Sequence, residues 1–159
     1  CIYEGLALKY RWVLEHIAGV IGGPVPEKLG GKEISRTIEI RGDQTLEDLH
    51  HAIFEAYDRF DEHMYEFQFG KGPHDPKGKR YVLRTMLEAG DEPNLAGDVA
   101  ETTIDSLKLN VDQPFGYWFD YGDDWWHQIG VADVGKLAPK VKYPRIVKRI
   151  GESPPQYSE

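Results

Sequence analysis

One cysteine stands in the chain, at position 1, so no disulfide can close within it and no cysteine cage can hold zinc. Long apolar runs are missing too. Nothing approaches the roughly 18 residues that span a bilayer as a helix, and the apolar region near the N-terminus is broken by Lys9, Arg11, Glu15 and His16. Basic residues are the minority, 19 Lys and Arg against 27 Asp and Glu, giving a formal net charge of -8 that repels a polyphosphate backbone on average. The expectation is a reducing, cytoplasmic setting with no membrane, and nucleic acid is not the expected partner. The chain opens on Cys1 without an initiator Met, which points to a start further upstream or to trimming. A P-loop, a G-x-G-x-x-G fingerprint, an H-E-x-x-H helix and a G-x-S-x-G elbow are all absent.

What remains is globular. With 40% hydrophobic and 12% aromatic residues, 159 residues suffice for one domain that buries about two thirds of its unfolded surface. Leu6, Trp12, Val13, Ile17 and Val20 recur at helical steps, predicting an N-terminal helix between Ile2 and Ile21 that stops at Gly22-Gly23-Pro24. Residues 1–31 then read as helix and linker, and 32–159 as the α+β body of a single globular unit. Ile34, Ile38 and Ile40 alternate with Ser35, Thr37 and Glu39 as a strand does. Thr45, with Glu47 and Asp48 behind it, caps a helix whose buried stripe is Leu49, Ile53, Ala56 and Phe60. His63 to Phe69 alternates as a strand, Gly70 to Lys79 is a loop, Tyr81 to Thr85 a strand, Asp91 to Asp98 a loop, and Thr102-Thr103 cap a short helical turn through Leu107.

The segment from Pro114 to Val131 predicts two aromatic strands joined at Gly122-Asp123, whose residue types supply the positive φ of a hairpin turn. The expected architecture is a mixed or mostly antiparallel sheet with this hairpin prominent, packed by two or three helices.

Thr45-Leu46-Glu47-Asp48-Leu49-His50, running on to Asp61-Glu62-His63-Met64-Tyr65-Glu66-Phe67, and the later Phe119-Asp120-Tyr121-Gly122-Asp123-Asp124-Trp125-Trp126-His127 together resemble the plasmid pRiA4b ORF-3-like family. Tyr143-Pro144-Arg145 and Gly151 to Pro155 resemble its C-terminal region, so the likeness covers residues 34 to 157. It implies a fold family and no particular reaction. Arg59-Phe60 stand where Gly-Trp is usual, and Pro154-Pro155-Gln156-Tyr157 where two prolines precede acids.

Asp120, Asp123, Asp124 and His127 put three carboxylates and an imidazole within eight residues, a donor set suited to a hard or borderline divalent metal. Turn chemistry accounts for the same aspartates, and His127 can equally pair across the strands. In a two-residue loop Trp118 faces His127, and Asp120 and His127 share a face with Trp118 and Trp125; a three-residue loop separates them. His63 and Glu66 offer a base with a carboxylate, but three positions apart on a strand they point to opposite faces. His50 borders Leu46 and Ile53, within reach of the hairpin, while His51 faces solvent. Lys136, Lys140, Lys142, Arg145, Lys148 and Arg149 form the basic block, read as the charged edge of a sheet in preference to a nucleic-acid footprint.

Trp118, Tyr121, Trp125 and Trp126 cannot all point inward, so some form a second core or a contact surface. The leading expectation is a non-catalytic binding or interaction domain, its occupant a protein partner or a second copy. The alternatives are a metal-dependent hydrolase or nuclease, with His50, His63 or Glu66 moving protons, and a DNA-associated protein. A divalent metal is the one cofactor the sequence offers.

Overall fold

The computed structural model describes residues 34–70, 75 and 77–157 in full and residues 10–19 as backbone. In chain order these form strands β1 (Tyr10–Gly19) and β2 (Ser35–Arg41), helix α1 (Leu46–Ala56), strands β3 (Tyr65–Phe69) and β4 (Lys79–Val82), and helix α2 (Arg84–Ala89). There follow β5 (Leu95–Asp98), a 3-10 turn (Asp105–Leu107), β6 (Pro114–Phe119), β7 (Trp125–Lys136) and β8 (Arg145–Ile150). The strands join in one eight-stranded sheet, ordered β5-β4-β3-β6-β7-β1-β2-β8. Every pairing is antiparallel except β4 with β5, so the fold is α+β with a mixed sheet, as the sequence predicts.

The expected N-terminal helix is corrected to a strand over Tyr10–Gly19, hydrogen-bonded to β2 on one side and β7 on the other. Tyr10, Trp12, Val13 and Ile17 are aromatic or β-branched, and spacing alone does not separate a central strand's apolar run from a helix. The rest of the expected helix and the Pro24–Lys32 linker lie outside the described residues. Two more expectations shift: Leu95–Asp98 is a strand where the sequence predicts a loop, and the chain turns into α2 at Arg84 instead of extending β4 to Thr85. Leu95-Ala96-Gly97-Asp98 has little strand propensity, and its pairing comes from lying parallel to β4.

One face of the sheet carries the main core. Ile38, Ile40, Phe67, Phe115, Tyr117, Phe119 and Ile129 are all fully buried there. Against them α1 packs Leu46, Leu49, Ile53 and Ala56 at three- and four-residue steps, each large aliphatic side chain contributing about 1.5–3 kcal/mol by leaving water. Its start is a capping box: the Asp48 amide donates to Thr45 Oγ1 at 3.2 Å, and the Thr45 amide donates to Asp48 Oδ2 at 2.9 Å. The helix ends at Ala56, so Phe60 is not on its stripe. Tyr57 takes the buried place, Asp58 turns the chain at φ 55°, and Phe60 is 74% exposed. Among the described residues no helix is long and apolar enough to cross a membrane.

Candidate functional site

The β6–β7 hairpin forms where the sequence places it, but in neither expected register. Phe119 faces Trp125, Trp118 faces Trp126 and Tyr117 faces His127, so the residues from Asp120 to Asp124 make the connection. Positive φ falls on Asp120 (62°) and Asp124 (54°), not on Gly122-Asp123. Aspartate tolerates the left-handed region because its short carboxylate bonds to local backbone. Here Asp120 Oδ1 accepts the Gly122 and Asp123 amides at 3.1 and 3.2 Å, and Asp124 Oδ1 accepts the Trp118 indole N–H at 2.9 Å.

A one-residue slip from Trp118 opposite His127 sends alternate side chains to the other face. His127 therefore lies in the core with Tyr117 and Trp125, away from the turn, and the candidate Asp/His cluster does not converge. Asp120 organises the turn from a nearly buried position, while Asp123 is exposed at its tip. In urea denaturation Asp120→Ala should cost about 1–3 kcal/mol through the amides it strands. Asp123→Ala should cost clearly less, and equal costs would contradict this turn.

On the opposite face the hairpin builds a second, smaller core, one of the two outcomes expected for its aromatics. Trp118 and Trp126 stack with ring centres 4.7 Å apart, and Trp118 also packs on Tyr121 at 4.1 Å. Trp126 is buried there and Trp118 and Tyr121 are half-buried, while Trp125 is buried in the main core. Beside them Glu66, fully buried, accepts two hydrogen bonds from Arg80, at 2.7 Å to Oε2 and 2.6 Å to Oε1. Gln68 donates to it at 2.9 Å and the Tyr121 hydroxyl at 3.1 Å. Every donor aimed at Glu66 is a structural partner. His63 lies elsewhere, its Nε2 2.6 Å from the Tyr157 hydroxyl and 3.4 Å from Asp120 Oδ2, so His63 and Glu66 do not act together.

His50 is brought to the hairpin. Its ring is buried and stacks on Tyr65 with centres 3.6 Å apart, Nδ1 meets the Tyr117 hydroxyl at 2.6 Å, and Nε2 meets Glu62 Oε2 at 3.0 Å. Burial above all, with the nearby His51 and Arg59 charges adding, pulls its pKa down to about 3, so the imidazole is neutral. The neutral ring then donates from Nε2 to the Glu62 carboxylate and accepts the Tyr117 O–H at Nδ1. Partial desolvation raises the Glu62 carboxyl above its ordinary value. His51, exposed as the sequence predicts, turns Nδ1 to 4.0 Å from Glu62 Oε1. Glu62 does not stand out in the sequence, since it meets α1 only through the loop that follows the helix.

Along the outer side of α1 runs a groove of about 670 Å³. Asp48, His51, Ala52 and Glu55 form the helix wall; Lys142, Tyr143, Pro144, Arg145, Ile146 and Arg149 form the other. Arg145 is held by Glu39 at 2.6 Å and Arg149 by the Ala56 carbonyl at 2.7 Å, yet both side chains stay over two-fifths exposed. As expected of the basic block, β8 is an edge strand, pairing among the described residues with β2 alone.

A family model of the plasmid pRiA4b ORF-3-like proteins matches residues 28–158. The chain belongs to this family. A similar solved structure is the crystal structure of a protein of unknown function, MM3350, from Methanosarcina mazei Go1. It is 18% identical, with a TM-score of 0.67, over 94% of this chain and 74% of that one, a likeness of fold. No curated protein matches.

In this member of the pRiA4b ORF-3-like family the two departures noted in the sequence meet in space. Gln156 Oε1 accepts the Phe60 and Asp61 amides at 3.0 and 3.1 Å, and the Phe60 and Tyr157 rings meet edge to face at 5.9 Å. Arg59 points the other way, into the core. Its guanidinium lies 4.8–5.4 Å from the Tyr57, Phe119 and Trp125 ring centres, and Nη2 donates to His127 Nε2 at 2.8 Å. Because His127 Nδ1 donates to the Tyr117 carbonyl at 3.1 Å, the Nε2 lone pair is free to accept that bond. His127 is thereby engaged as a structural histidine. Burial pulls the Arg59 pKa down, with Tyr117, Tyr57 and Asp120 opposing the shift.

Proposed function

We propose that this chain is a non-catalytic binding domain that holds an extended, mixed-charge peptide segment in the groove between α1 and β8. One observation carries the reading: the groove sets the acids Asp48 and Glu55 on one wall against the half-exposed Arg145 and Arg149 on the other, beside a strand whose outer edge is unpaired among the described residues. Its size suits a ligand, opposed charges fix the direction of a chain lying in it, and a strand edge can add an extended peptide by main-chain hydrogen bonds. The polar groups with catalytic character support it indirectly, since Glu66, Asp120 and His127 each spend their hydrogen-bonding capacity on the fold. The hydrolase reading built on Asp120, Asp124 and His127 loses its geometry with the hairpin register.

Fluorescence anisotropy with labelled extended peptides tests the proposal. Peptides alternating Glu and Lys should bind better than all-Glu or all-Lys ones, and Arg145→Glu combined with Arg149→Glu should weaken binding at least tenfold. Trp118→Ala should leave it unchanged. Equal binding by wild type and the double variant would rule the groove out as the binding site.

A further inference from the structure

We infer that His50, His51 and Glu62 form a binding site for a single divalent cation of borderline softness, with zinc as the ion of choice. The site goes beyond the peptide-groove reading and stands without it. Each of the three residues presents one donor atom, and the three lie within 4.8 Å of one another. Measured to the single oxygen Glu62 Oε1, Nε2 of His50 is 3.4 Å and Nδ1 of His51 is 4.0 Å away, close to the ligand-to-ligand edge of about 3.4 Å that metal–ligand bonds of about 2.1 Å require. Two imidazoles and one carboxylate form a set that suits zinc or a neighbouring transition ion, whereas magnesium and calcium favour oxygen alone. Three protein ligands also leave a coordination position for water or a bound molecule.

A second observation separates this trio from a chance meeting of surface side chains. A metal-binding histidine commonly gives its other ring nitrogen to a hydrogen-bond partner that fixes the ring. His50 has that support already, with the Tyr117 hydroxyl on Nδ1 at 2.6 Å and Tyr65 stacked at 3.6 Å. Loading the ion needs a change of tautomer and no net proton. The hydrogen now shared between Nε2 and Glu62 leaves, Nδ1 gains one and donates it to the Tyr117 oxygen, whose own hydrogen rotates off Nδ1, and the Nε2 lone pair turns to the metal. His51 and Glu62, both exposed, supply the adjustment that closes the site. The nearby positive charge of Arg59 opposes a cation and the Glu62 carboxylate offsets it.

The test is calorimetric titration of the chelator-stripped full chain with zinc chloride, alongside the 15N chemical shifts of the histidine rings. One equivalent should bind at micromolar or tighter affinity, magnesium should not bind at millimolar concentration, and the His50 Nε2 resonance should move. His51→Ala and Glu62→Gln should each weaken binding at least tenfold, and Tyr117→Phe, which keeps the ring packing, about 10- to 100-fold. His63→Ala should change nothing, and neither should the Arg145/Arg149 double variant, which keeps the outcome apart from the peptide test. No saturable binding at 100 μM zinc, or binding that leaves the His50 resonance unmoved, overturns the inference.

Discussion

Glu66→Ala is expected to lower the unfolding free energy in urea by about 3–5 kcal/mol, a larger loss than Asp120→Ala brings. The carboxylate is fully buried and receives Arg80 twice, Gln68 and Tyr121 once each. Removing it strands the Arg80 charge, whose side chain is only 13% exposed and whose remaining acid is the half-exposed Glu92 at 3.1 Å. The penalty comes from the orphaned partner, so taking both charges away is a different experiment. Glu66→Leu with Arg80→Met fills similar volume without a stranded charge and should recover most of the loss. If the double variant is as unstable as Glu66→Ala, the network is not what holds this face of the sheet.

The second large effect is a pH slope. His50 is neutral in the folded chain down to about pH 3, while in the unfolded chain it takes a proton below its ordinary value of about 6.5. A depressed histidine pKa therefore contributes stability that is complete above about pH 6.5 and drains away as pH falls toward 3, at about 1.4 kcal/mol per pH unit. Carboxylates can add slope of their own, so the measurement is a difference. In chelator, the stability gap between wild type and His50→Gln should narrow by about 2 kcal/mol from pH 6.5 to 5.0. Parallel pH curves would mean that His50 is not buried neutral.

How much of the fold and site is legible in the sequence depends on whether the cause is local. α1 is legible, because Thr45, Asp48 and the Leu49-Ile53-Ala56 stripe lie within a few residues of one another. The hairpin's place is legible and its register is not: Gly122-Asp123 has the residue types of a turn, whereas the backbone bends at Asp120 and Asp124, held by their own carboxylates. That one-residue difference moves His127 from a candidate metal cluster to a buried bond with Arg59. β1 owes part of its pairing to β7, far along the chain, and β5 lies parallel to β4 across the intervening α2, pairings that no local period reports. His50 stands out in the sequence, but its partners Glu62, Tyr65 and Tyr117 come from a loop and two strands that only the fold assembles.

The central claim, that binding takes place beside α1 and not at the aromatic turn, is tested most directly by an NMR titration of the 15N-labelled chain with the best mixed-charge peptide. Amide shifts are expected at His51, Ala52 and Glu55 and from Arg145 to Arg149, with the turn from Asp120 to Asp124 undisturbed. Shifts confined to Trp118, Tyr121 and the turn, with α1 and β8 silent, would contradict it.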